Sequence, residues 1–149
     1  MRAVVQRVQQ ASVRVDDVCI ASMGEGLLAL VGVGVEDTAS DASELARKLV
    51  HLRVFRDAEG RMNRSLLETG GTLGVVSQFT LLGDVRKGRR PSFASAAQPE
   101  VAEPLVAEVV SVAEALGVTV VTGRFQAAMQ VALVNDGPVT VLVDTQKRF

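Results

Sequence analysis

The stretch Leu27-Leu28-Ala29-Leu30-Val31-Gly32-Val33 is the longest apolar run in this chain of 149 residues. Strands that are covered on both faces read as continuous apolar runs, whereas half-exposed strands alternate between apolar and polar residues. We therefore expect residues 27–33 to form a central strand. The run is too short for a transmembrane helix, which needs about 20 apolar residues.

Shorter runs rich in β-branched residues lie on both sides of this stretch and predict further strands. They cover residues 2–8, 11–15, 18–22, 53–55, 118–122, 129–134 and 139–144. Asp16 and Asp17 supply turn residues between two of the early runs, so the chain is expected to begin with antiparallel strands.

Two segments have the apolar spacing of amphipathic helices. The first extends to about Leu52, and Asp41 and Glu44 have the spacing of a capping box. The second covers residues 99–116, and Gly117 stands where a left-handed C-terminal cap is expected. Together with the strands, these helices predict a mixed α/β fold: a single compact domain over residues 1–149, with mostly antiparallel β-layers backed by two main helices.

The composition narrows the class of protein. The net charge is −1, which argues against binding nucleic acid through a general basic surplus. The N-terminal string MRAVVQRVQQ lacks the apolar segment of a signal peptide, so we expect a cytoplasmic protein. The single cysteine, Cys19, has no Cys or His near it in sequence and is expected to be a small core residue. We expect neither a metal nor an organic cofactor.

One short segment concentrates positive charge. Arg86, Lys87, Arg89 and Arg90 lie within five residues, directly before Pro91. Such a segment is either a solvated loop or a contact for phosphate groups. The sequence alone leaves both interpretations open.

A polar string follows the apolar run at residues 73–76. In Ser77-Gln78-Phe79-Thr80 the chain leaves the predicted sheet, and a strand that ends in this way exposes consecutive backbone N–H groups. Such donors can stabilise the oxyanion of an acyl-transfer reaction. The alternative is an ordinary strand end with Phe79 in the core.

No side-chain base is evident for a conventional nucleophile. His51, the only histidine, lies near the end of the first helix between apolar residues, where it suits the helix dipole better than catalysis. A Ser-His-Asp triad is therefore not expected. Thr80 stays a candidate nucleophile, although a threonine hydroxyl without a neighbouring base is weak, and backbone donors are the preferred interpretation.

A second polar string, Asn135-Asp136-Gly137-Pro138, interrupts two apolar runs. These are turn residues, so the string predicts a hairpin loop that needs no function of its own. The isomer of the Gly137–Pro138 bond is open, since about 5–6% of X-Pro bonds are cis.

The two polar strings, in this order and about 55 residues apart, resemble the signature motifs of the D-aminoacyl-tRNA deacylases. Further similarity covers residues 1–8, 62–66, 86–93 and 123–125, so the resemblance extends over nearly the whole chain. It implies an enzyme that hydrolyses the ester between a D-amino acid and tRNA, and that also accepts glycine.

The resemblance also implies a homodimer with active sites at the subunit interface. A cis Gly137–Pro138 turn would enter the other subunit's pocket, where its carbonyl oxygens exclude the side chain of an L-amino acid. Arg7 would lie against that turn, instead of being an ordinary exposed strand charge. The implied substrate-binding residues are Arg7, Met129, Asn135, Gly137 and Pro138; the implied catalytic segment is Ser77 to Thr80; and the implied tRNA contacts are Arg86, Lys87, Arg89 and Arg90.

The chain departs from the family pattern at Gln126 and Ala128, where a glycine and an aspartate are common, and it lacks an aromatic residue in the stretch 81–84. Met129 is present and either lines the pocket or packs in the core. Two other functions stay open: a catalytically silent tRNA-binding dimeric module, and an RNA-independent hydrolase of small esters.

Overall fold

The apolar run at residues 27–33 forms the centre of a six-stranded mixed sheet, as predicted. The structure, a computed structural model, describes residues 1–148. Its strands are β1 Arg2–Val15, β2 Val18–Met23, β3 Gly26–Gly32, β4 Phe55–Arg56, β5 Met62–Arg64, β6 Thr72–Ser77, β7 Thr119–Thr122 and β8 Gln130–Asp144. Its helices are α1 Ala39–His51, α2 Leu66–Thr69 and α3 Pro99–Ala115, with a 3₁₀ turn at Phe79–Leu82.

The long strand β1 organises the sheet. It pairs antiparallel with β2 and β3 along one edge and with β8 along the other. Strand β6 lies parallel to β3, and β7 lies parallel to β6. Strands β4 and β5 form a separate two-stranded hairpin. The carboxyl end of β6 therefore lies beside that of β3, in the middle of the sheet.

Strand β3 is buried because both of its faces are covered. Leu27, Ala29 and Val31 belong to the main core, which α1 and α3 complete. Leu28 lies on the opposite face, in a smaller apolar cluster with Val76. This double coverage is the physical reason for the continuous apolar run, and it confirms the mixed α/β fold with two main helices.

The predicted ends of the helices are partly confirmed. Helix α3 begins at Pro99 and ends before Gly117, whose φ is +95°. The predicted capping box of α1 is wrong by one turn, because Thr38 is the N-cap and its N–H donates to the Asp41 carboxylate at 2.9 Å. None of the helices formed by residues 1–148 combines the length and apolar character needed to cross a bilayer.

Two other expectations are wrong. The apolar runs around Gly137 and Pro138 are not the arms of a hairpin, because both pair with β1 as parts of the one strand β8. The register passes from Gln6 opposite Thr140 to Val8 opposite Asn135, so the residues between them bulge out of the ladder. Cys19 is exposed, since β2 is an edge strand whose first residues face solvent.

Gly26 allows β3 and β6 to approach each other. A Cβ atom at this position would lie 1.9 Å from the backbone oxygen of Thr72, whereas Gly24 has no atom within 4 Å of its Cβ position. We predict that Gly26→Ala lowers the free energy of unfolding by about 1–3 kcal/mol or more, because the two strands must move apart. Chemical denaturation measures this change. Gly24→Ala is the matched control, and an equal loss in both variants would contradict the explanation.

Candidate active site

At the end of β6, two backbone donors have no partner in the described part of the chain. Gln78 N–H still donates to the Val31 carbonyl at 2.7 Å, and the chain then turns into the 3₁₀ turn. The first N–H groups of a helical turn have no acceptor within it. Among residues 1–148, none accepts a hydrogen bond from the N–H of Phe79 or Thr80. Both groups are therefore available to a ligand.

The 3₁₀ turn lies close against β3 because residue 32 is glycine. A Cβ on Gly32 would lie 2.9 Å from the Gln78 carbonyl oxygen and 2.7 Å from the Leu82 side chain. Any larger residue would push the turn away from the sheet. Gly32 thus fixes where the two free N–H groups lie.

A cleft of about 620 Å³ opens beside this strand end. Ser77, Gln78, Phe79 and Met129 line it, whereas Thr80 does not. Phe79 is 58% exposed, so the interpretation of a core phenylalanine at an ordinary strand end is wrong. Its ring meets Phe93 edge to face, with the centroids 5.0 Å apart. Met129 lines the cleft and also packs on the smaller apolar cluster, so both of the positions expected for it are observed.

Within residues 1–148, no basic side chain hydrogen-bonds to the Thr80 hydroxyl. Its hydrogen-bonding partner is the side-chain amide of Gln78, which donates to it and cannot accept a proton. His51 is the last residue of α1, is exposed, and has a ring nitrogen 2.9 Å from the Arg47 carbonyl oxygen. This geometry provides no proton acceptor for a threonine nucleophile among these residues.

The second polar string forms the bulge of β8. The Asn135 side chain accepts from Val139 N–H and donates to Thr140 Oγ1, both at 2.9 Å. The Gly137–Pro138 peptide bond is cis, and both residues are exposed. The asparagine therefore holds the bulge closed from inside while the Gly137–Pro138 turn projects outside the ladder.

Arg7 fixes this turn to its surroundings. Its side chain is only 3% exposed, so it is not an ordinary exposed strand charge. Its Nε lies 3.1 Å from the Asp136 carbonyl oxygen, to which it donates, and 3.0 Å from the Asp136 carboxylate. Its Nη1 donates to the Val54 carbonyl, which lies directly before β4. One guanidinium thus joins the turn to the start of the β4–β5 hairpin.

The predicted site residues fall into two groups. Ser77, Gln78, Phe79 and Met129 meet at the cleft, with Thr80 directly beyond it, and Arg7, Asn135, Gly137 and Pro138 meet at the turn. Of the described residues, neither Gly137 nor Pro138 lines the cleft of its own chain.

The basic segment forms a loop next to the cleft. Its base is closed by the pairing of Asp84 with Ser92, and Phe93 follows directly and lines the cleft. Arg86 is bound by the Asp84 carboxylate at 2.6 Å. Lys87, Arg89 and Arg90 are exposed, and no residue in the range 1–148 pairs with their side chains.

The sequence analysis missed several cleft residues, above all Phe93 and Phe125. A signal was available, because the chain has only five phenylalanines and three of them, Phe79, Phe93 and Phe125, line one cleft. Gln126 also lines the cleft, with φ +59°, a backbone conformation that favours glycine. Residues 1–148 contain no group of three or more His, Cys, Asp or Glu side chains placed to hold a metal ion.

Comparison with known proteins identifies the family of the chain. A family model described as D-Tyr-tRNA(Tyr) deacylase matches residues 4–144. The D-aminoacyl-tRNA deacylase of Roseiflexus sp. (strain RS-1) is 59% identical over 145 residues, which cover 97% of this chain and 94% of that protein. The D-aminoacyl-tRNA deacylase of Desulforudis audaxviator (strain MP104C) is 55% identical over 149 residues, the full length of both chains.

Solved structures show the same architecture. A structure titled c-Myc DNA Unwinding Element Binding Protein superposes with a TM-score of 0.92 at 37% identity, over 97% of this chain and 99% of that one. A probable eukaryotic D-amino acid tRNA deacylase superposes with a TM-score of 0.82 over 95% of this chain and 97% of that one. At 18% identity, the second likeness concerns the fold alone.

The fold and these relatives define a carboxylic ester hydrolase of mixed α/β architecture. Within that class, the chain belongs to the D-Tyr-tRNA(Tyr) deacylase family, because the family model and its full-length relatives cover nearly every residue. The predicted resemblance to the D-aminoacyl-tRNA deacylases is therefore confirmed at the level of the family.

The Asp84–Arg86 pair gives a testable pH dependence. Hydrogen bonds from the Arg86 side chain and backbone lower the pKa of Asp84 from 3.8 to about 2. Because the folded pKa is depressed, the pairing is fully present above pH 3.8 and is lost as the pH falls through about 2. We predict that Arg86→Gln raises the pKa of Asp84 towards 3.8 in an NMR titration of the carboxyl carbon. Lys87→Gln is the control, and a pKa near 2 in both variants would show that the guanidinium is not the cause.

Proposed function

We propose that this chain is a cytoplasmic D-aminoacyl-tRNA deacylase, a single domain that works as a homodimer. It hydrolyses the ester between a D-amino acid and tRNA and also removes glycine from mischarged tRNA. The observation that carries the proposal is the pair of free N–H groups at Phe79 and Thr80, at the edge of a cleft of about 620 Å³. The family supplies the identity of the substrate.

The proposed reaction needs little side-chain chemistry. Water attacks the carbonyl carbon of the ester, the carbonyl oxygen becomes an oxyanion, and the N–H groups of Phe79 and Thr80 hold it. The C–O bond to the ribose then breaks, the carbonyl re-forms as the carboxyl group of the free amino acid, and the proton released by the attacking water passes to the ribose oxygen. Each such donor is typically worth about 10²–10³ in rate. An aminoacyl ester is already activated, and the neighbouring ribose 2′-hydroxyl is well placed to position the water.

The proposed selectivity comes from rejection. The Gly137–Pro138 turn of one protomer enters the partner's cleft, and its carbonyl oxygens lie where the side chain of an L-amino acid would point. A D side chain points elsewhere, and glycine has none, so both are admitted. The exposure of the turn, and its absence from the cleft of its own chain, support this arrangement.

Exposed apolar surface supports the homodimer. Val4 lies opposite Leu142 on one side and Leu30 on the other, so the three form a row across β8, β1 and β3. Leu142 is 60% exposed. Within residues 1–148, β8 pairs with β1 alone, which leaves a long edge uncovered. A second copy of the chain would cover such surface.

Matched D- and L-aminoacyl-tRNA esters test the proposal directly. A deacylase cleaves the D ester far faster than the L ester and faster than buffer does. Tight tRNA binding without cleavage of either ester would instead favour the silent binding module. Equal efficiency on free D-amino acid esters would favour an RNA-independent hydrolase.

Substitution of Thr80 separates the two candidate mechanisms. We predict that Thr80→Ala and Thr80→Val each keep activity on D-aminoacyl-tRNA within about tenfold of the unmodified protein, because both variants keep the backbone N–H at position 80. Such activity would reject Thr80 as the nucleophile, since covalent roles are rarely so dispensable. Single-turnover rates measure the effect, and abolished turnover in both variants would reject a site dominated by backbone donors.

Arg7 offers a test of the turn. We predict that Arg7→Ala lowers the ratio of D to L ester hydrolysis by roughly tenfold, because the turn loses the guanidinium that binds the Asp136 carbonyl. The ratio is insensitive to the fraction of folded protein. Arg14→Ala is the control on the same strand, since the Arg14 side chain is exposed and, among residues 1–148, donates to the Asp17 carbonyl alone. An unchanged ratio in Arg7→Ala would show that Arg7 does not contribute to the selectivity for D esters.

A further inference from the structure

A second basic surface lies away from the cleft of its own chain, and the sequence analysis did not single it out. Residues 53–64, which include β4 and β5, form a basic hairpin, and the end of α1 lies directly before it. All the lysines and arginines of residues 47–64 are exposed: Arg47, Lys48, Arg53, Arg56, Arg61 and Arg64. The acidic residues of this range are Asp57 and Glu59. In a chain of net charge −1, this is a strong local excess of positive charge.

Hydrogen bonds hold the tip of the basic hairpin. Asp57 N–H donates to the Arg61 carbonyl at 2.8 Å, and the Asp57 carboxylate accepts from the backbone N–H of Glu59 and Arg61. Asp57 is thus occupied in holding the turn. Arg56 and Arg61 stand at the two sides of this turn, and no side chain within residues 1–148 pairs with either guanidinium.

The basic hairpin is joined directly to the Gly137–Pro138 turn. The guanidinium of Arg7 donates to the carbonyl of Val54 and to that of Asp136, and Gly137 lies against it, with its Cβ position 3.3 Å from Arg7 Nη2. The hairpin and the turn are therefore fixed together. Wherever the turn of one protomer reaches its partner, the basic hairpin comes with it.

We propose that the basic hairpin of one protomer binds backbone phosphates of the tRNA whose 3′ end occupies the partner's cleft. The inference rests on the proposed function, in which the turn enters that cleft. The cleft's own chain supplies Lys87, Arg89 and Arg90 from the loop that precedes Phe93. Two basic segments from two chains then flank one site, and Arg56 and Arg61 present free guanidinium groups of the kind that bind phosphate oxygens in pairs.

The first experiment compares two double variants with the same loss of charge. Arg56→Gln with Arg61→Gln removes two of the four cations of the basic hairpin, and Arg14→Gln with Lys147→Gln removes two exposed cations elsewhere. Each is assayed on D-aminoacyl-tRNA and on 3′-D-aminoacyl-adenosine, which has the ester but no phosphate backbone. Binding of uncharged tRNA is measured at two salt concentrations.

For the hairpin variant we expect kcat/KM on D-aminoacyl-tRNA to fall by roughly tenfold and the salt dependence of binding to weaken by about one unit of slope per lost contact. Turnover of the adenosine ester stays unchanged, and the control keeps both activities. Full activity on tRNA, or an equal loss on both esters, would overturn the inference. Failure of the proposed function is distinct, because the unmodified protein would then cleave neither ester, or would cleave the adenosine ester as efficiently as D-aminoacyl-tRNA.

Mixed dimers test whether the hairpin acts on the partner's site. One protomer carries Ala127→Trp, which fills its cleft, and the other carries the two hairpin substitutions. Dimers of Ala127→Trp alone must be inactive. If the hairpin serves the partner, the open cleft faces an intact hairpin, and each open site works at the unmodified rate on tRNA. A rate per open site as low as that of the hairpin variant would overturn the inference.

Discussion

The position of the Gly137–Pro138 turn depends on the hydrogen bonds and the ion pair of the buried Arg7 guanidinium. A charge taken out of water is costly unless it is paired and its hydrogen bonds are satisfied. Arg7 meets this requirement with the Asp136 carboxylate and with two backbone carbonyls, those of Asp136 and Val54. These partners come from the bulge of β8 and from the segment that enters β4. The position of the exposed turn is therefore set by a residue of the first strand.

The candidate site uses main-chain groups for both of its proposed tasks, which are to stabilise the oxyanion and to exclude L-amino acids. The donors are N–H groups that the 3₁₀ turn leaves free at Phe79 and Thr80, and Gly32 lets that turn lie close to β3. The proposed filter consists of carbonyl oxygens at Gly137 and Pro138. Main-chain groups at such positions survive most side-chain substitutions. A side chain such as that of Gln126, which lines the cleft, can therefore change without removing these donors.

Much of the fold follows from local patterns in the sequence. The unbroken apolar run predicts β3 because both sides of a central strand are covered, and residues 99–116 predict α3 because a glycine ends an apolar period. The prediction of a hairpin at Asn135 to Pro138 is wrong, since the same turn residues occur in hairpins and in bulges. Only pairing with the distant strand β1 distinguishes the two. The misplaced capping box has a similar cause. The pair Thr38 and Asp41 and the pair Asp41 and Glu44 have the same three-residue spacing, and the structure uses the first pair.

The two polar strings of the candidate site could be recognised in the sequence. The sequence did not show that one string lies at the cleft and the other at a separate turn. Nothing local shows that Arg7 reaches both Val54 and Asp136, because those contacts depend on the packing of distant segments. The aromatic mouth of the cleft likewise joins Phe79 and Phe93 across a loop. The spacing of residues predicted backbone chemistry at the strand end, whereas the relation between strand end and turn requires the fold and a second protomer.

A crystal structure of the protein with a non-hydrolysable amide analogue of 3′-D-aminoacyl-adenosine would show whether these main-chain groups act together on one substrate. We expect the analogue's carbonyl oxygen to lie within hydrogen-bonding distance of the N–H groups of Phe79 and Thr80. We also expect the carbonyl oxygens of the partner subunit's Gly137 and the partner subunit's Pro138 to lie beside the hydrogen on the substrate's α-carbon. An analogue bound in the cleft with the partner's turn elsewhere, or bound away from those N–H groups, would show that the proposed site is wrong.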